Sequence, residues 1–194
     1  MAAVFALGVL ALIGYLVFGR SSASSSPVTP RTDLAPAPDY SGHPIIDNIP
    51  CETTERVTYH VHTHLAIYVN GNAAGVPYGI GIAPPRPTQN SDEGPFVTSG
   101  SCFYWLHTHT GDGIIHIEAP NQQPFTLGQF FDMWQQPLTT TQVGPAQGQV
   151  YAYVGGQPYT GDPRAIPIGD HTLVQLDVGL NQPAPQPFTF PSGL

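Results

Sequence analysis

The chain contains no lysine: its five basic residues are Arg20, Arg31, Arg56, Arg86 and Arg164, against 13 acidic ones, for a formal charge of −8. Without a basic patch there is no electrostatic footprint for nucleic acid or for an anionic lipid surface, and a cation is the partner class the charge favours. Charged residues make up only 9% of the 194, which is few for a cytosolic protein. Cysteine is limited to Cys51 and Cys102, with no CxxC, so neither a cysteine-based zinc site nor a dithiol redox motif is supported. Met1 and Met133 are the only methionines, which disfavours a methionine-rich Cu(I) carrier. Proline (22) and glycine (21) are plentiful; they argue against long helices and for many turns. The length allows one ordinary domain with appendages.

Residues 2–18 are an unbroken run of apolar, Gly and Tyr residues. Such a run is at the short end of a membrane span and long for a signal-peptide core. We therefore read 1–20 as a membrane anchor or signal segment, and 21–44, rich in Ser, Pro and Ala, as a linker. A spacer makes most sense behind an uncleaved anchor, although Arg20 after the run is neutral or slightly unfavourable under the positive-inside rule. A β-rich domain is expected at 45–180 and a Pro-rich tail at 181–194. This organisation predicts a single-pass protein of the cell membrane with its C-terminal domain on the extracytoplasmic side, periplasmic or extracellular. In that compartment Cys51 and Cys102 are expected to form a disulfide.

Within the domain, residues 57–69 alternate with period two, with apolar residues at odd positions, and read as a strand. Asn70-Gly71 offers a hairpin turn, since both residues tolerate positive φ. Residues 149–154 and 172–178 read as further strands, with a turn at Gly155-Gly156. One helix is expected: Thr126 and Gln129 form a capping box, Leu127, Phe130, Phe131 and Trp134 make one apolar stripe, and Pro137 stops it. The fold class is mainly β (α+β): an antiparallel, sandwich-like domain with one packed amphipathic helix, preceded by an N-terminal membrane helix.

Six of the eight histidines fall in two segments. In YHVHTHL, His60, His62 and His64 share the strand face opposite the apolar one. Neighbouring pairs are about 6.6 Å apart at Cα, close enough to converge on one metal; three in a row seldom all reach a single ion, so the third is expected to serve a second metal, a place behind the ligands or a proton-transfer role. In WLHTHTGDGIIHIE, a two-residue turn at Asp112-Gly113 sets His109 opposite His116 and His107 opposite Glu118; a longer loop shifts the pairs but keeps the shared face. Phe103 and Trp105 belong to that face and exclude water from it. A lone strand histidine is ordinarily a surface or satisfied core residue, and that reading is kept for His43 and His171. The aligned set His60, His62, His64, His107, His109 and His116 is read instead as transition-metal ligands, for copper or zinc, with both faces adjoining in one site. Asp112 and Glu118 are the nearby carboxylates. Glu118 is expected behind the ligands, accepting an imidazole N–H and fixing its tautomer.

HVHTHLAIYVNG, CFYWLHTHTGDGIIHIE and TLGQFFDMW together resemble a group of exported bacterial proteins without an assigned activity. The resemblance covers about 45–180. The HxH pairs are similar to the strand histidines of copper–zinc superoxide dismutase and α-type carbonic anhydrases, a likeness confined to those pairs. Three functions compete: storage, delivery or sensing of copper or zinc; a zinc or copper metalloenzyme with a three-histidine site; and an accessory structural subunit of a larger membrane protein complex, docked through its Pro-rich arms.

Overall fold

The structure, a computed structural model, describes residues 32–194. The expected membrane segment 1–20 and the linker as far as residue 31 lie outside the described residues. Among the described residues no helix is long and apolar enough to cross a membrane.

The organising element is β1 (Tyr59–Val69). It starts two residues later than the alternation suggested, and Val57 lies outside it in an exposed turn. Leu65 and Ile67 are buried on one face, and His62 and His64 on the other. Asn70 and Gly71, at φ 51° and 83°, turn the chain into β2 (Asn72–Ala74), with Val69 opposite Asn72. A separate hairpin follows, β3 (Thr88–Ser91) and β4 (Gly94–Val97). Next come β5 (Leu106–His107), β6 (Ile114–Ala119), the helix α1 (Leu127–Trp134), β7 (Val150–Val154), β8 (Gln157–Tyr159) and β9 (Thr172–Val178). The main sheet runs β8-β7-β9-β1-β6-β5, with β2 also paired to β1.

The domain is mainly β, as expected, but its central pair is not antiparallel. β9 runs parallel to β1 from Thr63↔Thr172 to Val69↔Val178. The long connection between them, which includes α1, permits the crossover that parallel pairing requires. The core also differs from a sandwich of two sheets, because α1 packs with the apolar side chains of the sheet. Leu127, Phe130, Phe131 and Trp134 are fully buried together with Leu106, Ile115, Ile117 and Leu176. Burying such a side chain stabilises the fold by about 1.5–3 kcal/mol. The capping box is present: Gln129 N–H donates to Thr126 Oγ1, and Thr126 N–H to Gln129 Oε1. The helix ends at Gln135 in the left-handed conformation (φ 56°), two residues ahead of Pro137.

Two segments expected to be extended are built into the domain. In the described part of the linker, Tyr40 is buried, its hydroxyl donating to Met133 O and accepting from Gly81 N. Trp134 Nε1 donates to Pro36 O. The tail returns across the sheet, with Gln186 N donating to Gln175 Oε1 and Phe188 stacked on His64. Both segments donate or accept backbone hydrogen bonds that a free arm would leave to water.

The 103–118 hairpin exists in a different register. Leu106 pairs with Ile117 and His107 with His116, so residues 108–113 loop out instead of closing a two-residue turn. Other partners claim that backbone: Thr108 N donates to Ile80 O, and Val97 N to His109 O. Asp112 Oδ1 accepts from Ile114 N and Thr110 Oγ1 and shapes the loop end.

Cys51 and Cys102 form the expected disulfide, with a Cα–Cα distance of 5.3 Å. Beside it Glu52 and Phe103 exchange two backbone hydrogen bonds, fixing residues 51–56 against the start of β5. The bond closes a loop with a sequence separation of 51, for which chain entropy gives a stabilisation of about 4 kcal/mol. Replacing both cysteines with serine is expected to lower Tm by about 10 °C in thermal unfolding followed by circular dichroism.

Candidate metal centre

Strand register assembles the site. Across β1, β6 and β5, His62, His116 and His107 fall in one row, and His60 and Glu118 in the next, all on the face away from α1. The two histidine-bearing segments are therefore adjacent, as expected. Gly81 backs this edge: at φ 71°, its position would put a Cβ 2.1 Å from Leu106 O and 2.7 Å from His107 Cβ. Only glycine lets that loop lie so close to β5.

Two groups of donor atoms result: His107, His109, His116 and Glu118, all buried, and His60, His62 and His116. Within each, the donor atoms lie within 4.8 Å of one another, so these buried histidine clusters could hold a metal ion. His107 Nδ1 donates to Tyr104 O at 2.8 Å and His109 Nδ1 to Val97 O at 2.7 Å. In the neutral rings both Nε2 atoms then carry lone pairs, and they face each other at 3.2 Å. Two imidazole ligands on a tetrahedral zinc ion stand about 3.4 Å apart, from Zn–N bonds near 2.0–2.1 Å. Glu118 Oε1 lies 3.8 Å from His107 Nε2, 3.6 Å from His116 Nδ1 and 3.1 Å from His60 Nε2. His116 Nδ1, His62 Nε2 and Glu118 Oε2 are buried and have no hydrogen-bond partner. Unmet polar atoms gathered in one buried place are costly for a protein to keep without a ligand.

Burial sets the charge of the site. It holds His62 down at about 4, and, reinforced by the charge of His109, His107 at about 3. His116 is pushed far lower for the same reasons. These rings are neutral at pH 7 and ready to ligate. Burial, with Glu55 adding repulsion, pushes Glu118 up to about 7. Burial also opposes charge on His109, but the Glu55 carboxylate and the Val97 carbonyl outweigh it and raise its pKa. This favours a proton on His109, whose Nε2 faces Glu55 as well as His107.

The sequence-selected residues do not all share one position. His107, His109 and His116 come together, with His60 and His62 beside them. His64 points elsewhere: its ring stacks on Phe188 at 3.6 Å and its Nε2 lies 3.2 Å from Asp112 O. Glu118 lies among the donors instead of behind them, and the tautomers are set by the carbonyls of Tyr104 and Val97. Phe103 stands edge-on to His107 as expected, but Trp105, expected on the same face, packs against the apolar core and stands edge-on to Phe125. The sequence reading missed Phe96, stacked on His109 at 4.6 Å, and Glu55, 3.4 Å from His109 Nε2. For Glu55 a signal existed: it stands four residues after Cys51, and Cys102 five before His107, so the disulfide carries it to the site. His43 and His171 make outlying contacts, with Ser101 Oγ and Leu194 O.

No protein-family model, curated protein or solved structure matches the chain.

Acid should unfold the metal-free domain through these histidines. Below about pH 6.5 the unfolded chain takes up protons that folded His62, His107 and His116 refuse, so their contribution is lost as pH falls. Glu118 and His109 act the other way: their raised values add stability on the acid side that is lost as pH rises, for Glu118 through about 7. His60, also held down by burial, and Glu55, held down by His109, act with those three histidines, so Tm measured in the presence of chelator should fall from pH 6.5 to 4. The fall should be shallower in His62→Asn and steeper in Glu118→Gln. Equal slopes in all three proteins would contradict neutral burial of the histidines.

Proposed function

We propose that this chain is an exported, membrane-tethered protein whose domain binds a transition metal, copper or zinc, for storage or delivery outside the cytoplasm. The ion is held by His107, His109, His116 and Glu118. The observation that carries the reading is the pair of Nε2 atoms 3.2 Å apart, both Nδ1 atoms being committed to backbone carbonyls. Only a cation between them, a proton or a metal, relieves that arrangement. Three imidazoles and a carboxylate suit Zn²⁺ or Cu²⁺, and soft thiolate is excluded because both cysteines are in the disulfide. Four buried protein donors complete a tetrahedral ion, which favours retention over catalysis; a metalloenzyme leaves a position open for water. The disulfide supports an oxidising compartment, and the apolar run 2–18 supports the tether. A subunit that docks through its Pro-rich tail is less favoured, because that tail already lies on its own domain.

Binding should displace the proton of His109 and that of Glu118. Calorimetric titration of the metal-free domain with Zn²⁺ or Cu²⁺ at pH 6.5, in buffers of different ionisation enthalpy, should show release of about two protons per ion. The variant His107→Ala/His109→Ala should lose binding at this site while keeping the circular dichroism of the fold. Undiminished affinity in that variant, or binding without proton release, would defeat the assignment.

A further inference from the structure

The first donor group leaves several atoms of the same face unused. His62 Nε2 is buried without a partner, and so is Glu118 Oε2. His60, His62 and His116 form their own group, with donor atoms within 4.8 Å of one another. Strand register makes this second group continuous with the first: His62 is paired with His116, and His60 with Glu118. Glu118 therefore lies between the groups, its Oε1 3.1 Å from His60 Nε2 on one side and 3.8 Å from His107 Nε2 on the other.

We propose that the domain holds two adjacent metal ions, the second bound by His60 and His62 and joined to the first through Glu118. This deepens the single-site reading above and rests on it. The arrangement accounts for features that one ion leaves unexplained. Glu118 Oε1 faces both groups, so one carboxylate can serve both ions. His62 Nε2 gains a partner. Two dications crowded together repel, and the site carries compensating carboxylates, Glu118 in the middle and Glu55 beside His109. Arg56, the arginine of the adjoining loop, is paired with Glu52 and leaves these carboxylates to the ions. Carboxylate-bridged ions are about 3.5–4 Å apart in known two-metal sites. The two positions differ in access. His107 is fully buried, whereas the His60 side chain is 37% exposed, so the outer ion should exchange first.

The test uses the full chain and Cu²⁺, with native mass spectrometry for stoichiometry and electron paramagnetic resonance for proximity. The wild type should take up two ions and give the broadened, half-field spectrum of a coupled Cu²⁺ pair. His60→Asn/His62→Asn should take up one ion, with an isolated Cu²⁺ spectrum and the tighter of the two affinities retained. The wild-type spectrum needs no variant, so a misfolded double mutant does not blunt the test. One ion per wild-type chain with an isolated spectrum would overturn the second position and leave the first standing. Two ions in the double variant, or two uncoupled ions in the wild type, would also overturn it. No bound ion in the wild type would overturn both readings.

Discussion

Two imidazole Nε2 atoms held 3.2 Å apart among buried side chains form the constraint around which the rest of this domain is arranged. Each ring is held by its other nitrogen, which donates to a backbone carbonyl: Val97, at the end of β4, for His109, and Tyr104, just before β5, for His107. The close approach is therefore built in by the fold. The surroundings follow from it. The β3–β4 hairpin supplies both the carbonyl of Val97 and the ring of Phe96 against His109. The disulfide-anchored loop supplies Glu55. β6 supplies His116 and Glu118 from two successive outward positions. Such a preformed set spends little conformational entropy on capture of an ion.

The sheet separates the apolar core from the histidine cluster. One face of β1, β6 and β5 packs with the aromatic stripe of α1 into the apolar core, and the other carries the imidazoles. Thr63 is the polar residue on the core side of β1, and its hydroxyl both donates to Gly169 O and accepts from Gly169 N. This division lets a ligand be replaced without opening a cavity in the core. It also explains how so many polar rings can be buried: the stabilisation that supports them comes largely from the opposite face.

What could be read from sequence was what depends on neighbours along the chain. The period-two pattern of β1, the Asn70-Gly71 turn and the Thr126/Gln129 capping box are local in cause, and all three are present. The shared face of the two histidine segments was legible because alternation fixes which side chains lie together, whatever the exact register. The register itself was not, since Thr108 and His109 leave the ladder to bond with residues near 80 and 97. The parallel β1–β9 pair, the place of Phe96, and the stacking of His64 on Phe188 are likewise long-range outcomes. His64 has the same spacing as His62, yet its ring meets Phe188 of the returning tail and the Asp112 carbonyl, contacts that no local pattern announces.

That returning tail has a practical side. Phe188 and Phe190 stack on His64 and His171, the Leu194 carbonyl accepts from His171, and Pro191 and Leu194 line a cavity of about 200 Å³ that His116 also borders. Residues 188–194 are thus part of the wall beside the histidine cluster. An affinity handle placed against residues 188–194, above all a run of histidines, would lie beside the histidine cluster as a competing set of imidazoles and would pry at the stacking of Phe188 and Phe190. Purification schemes and fluorescent fusions for this protein are best placed elsewhere on the domain.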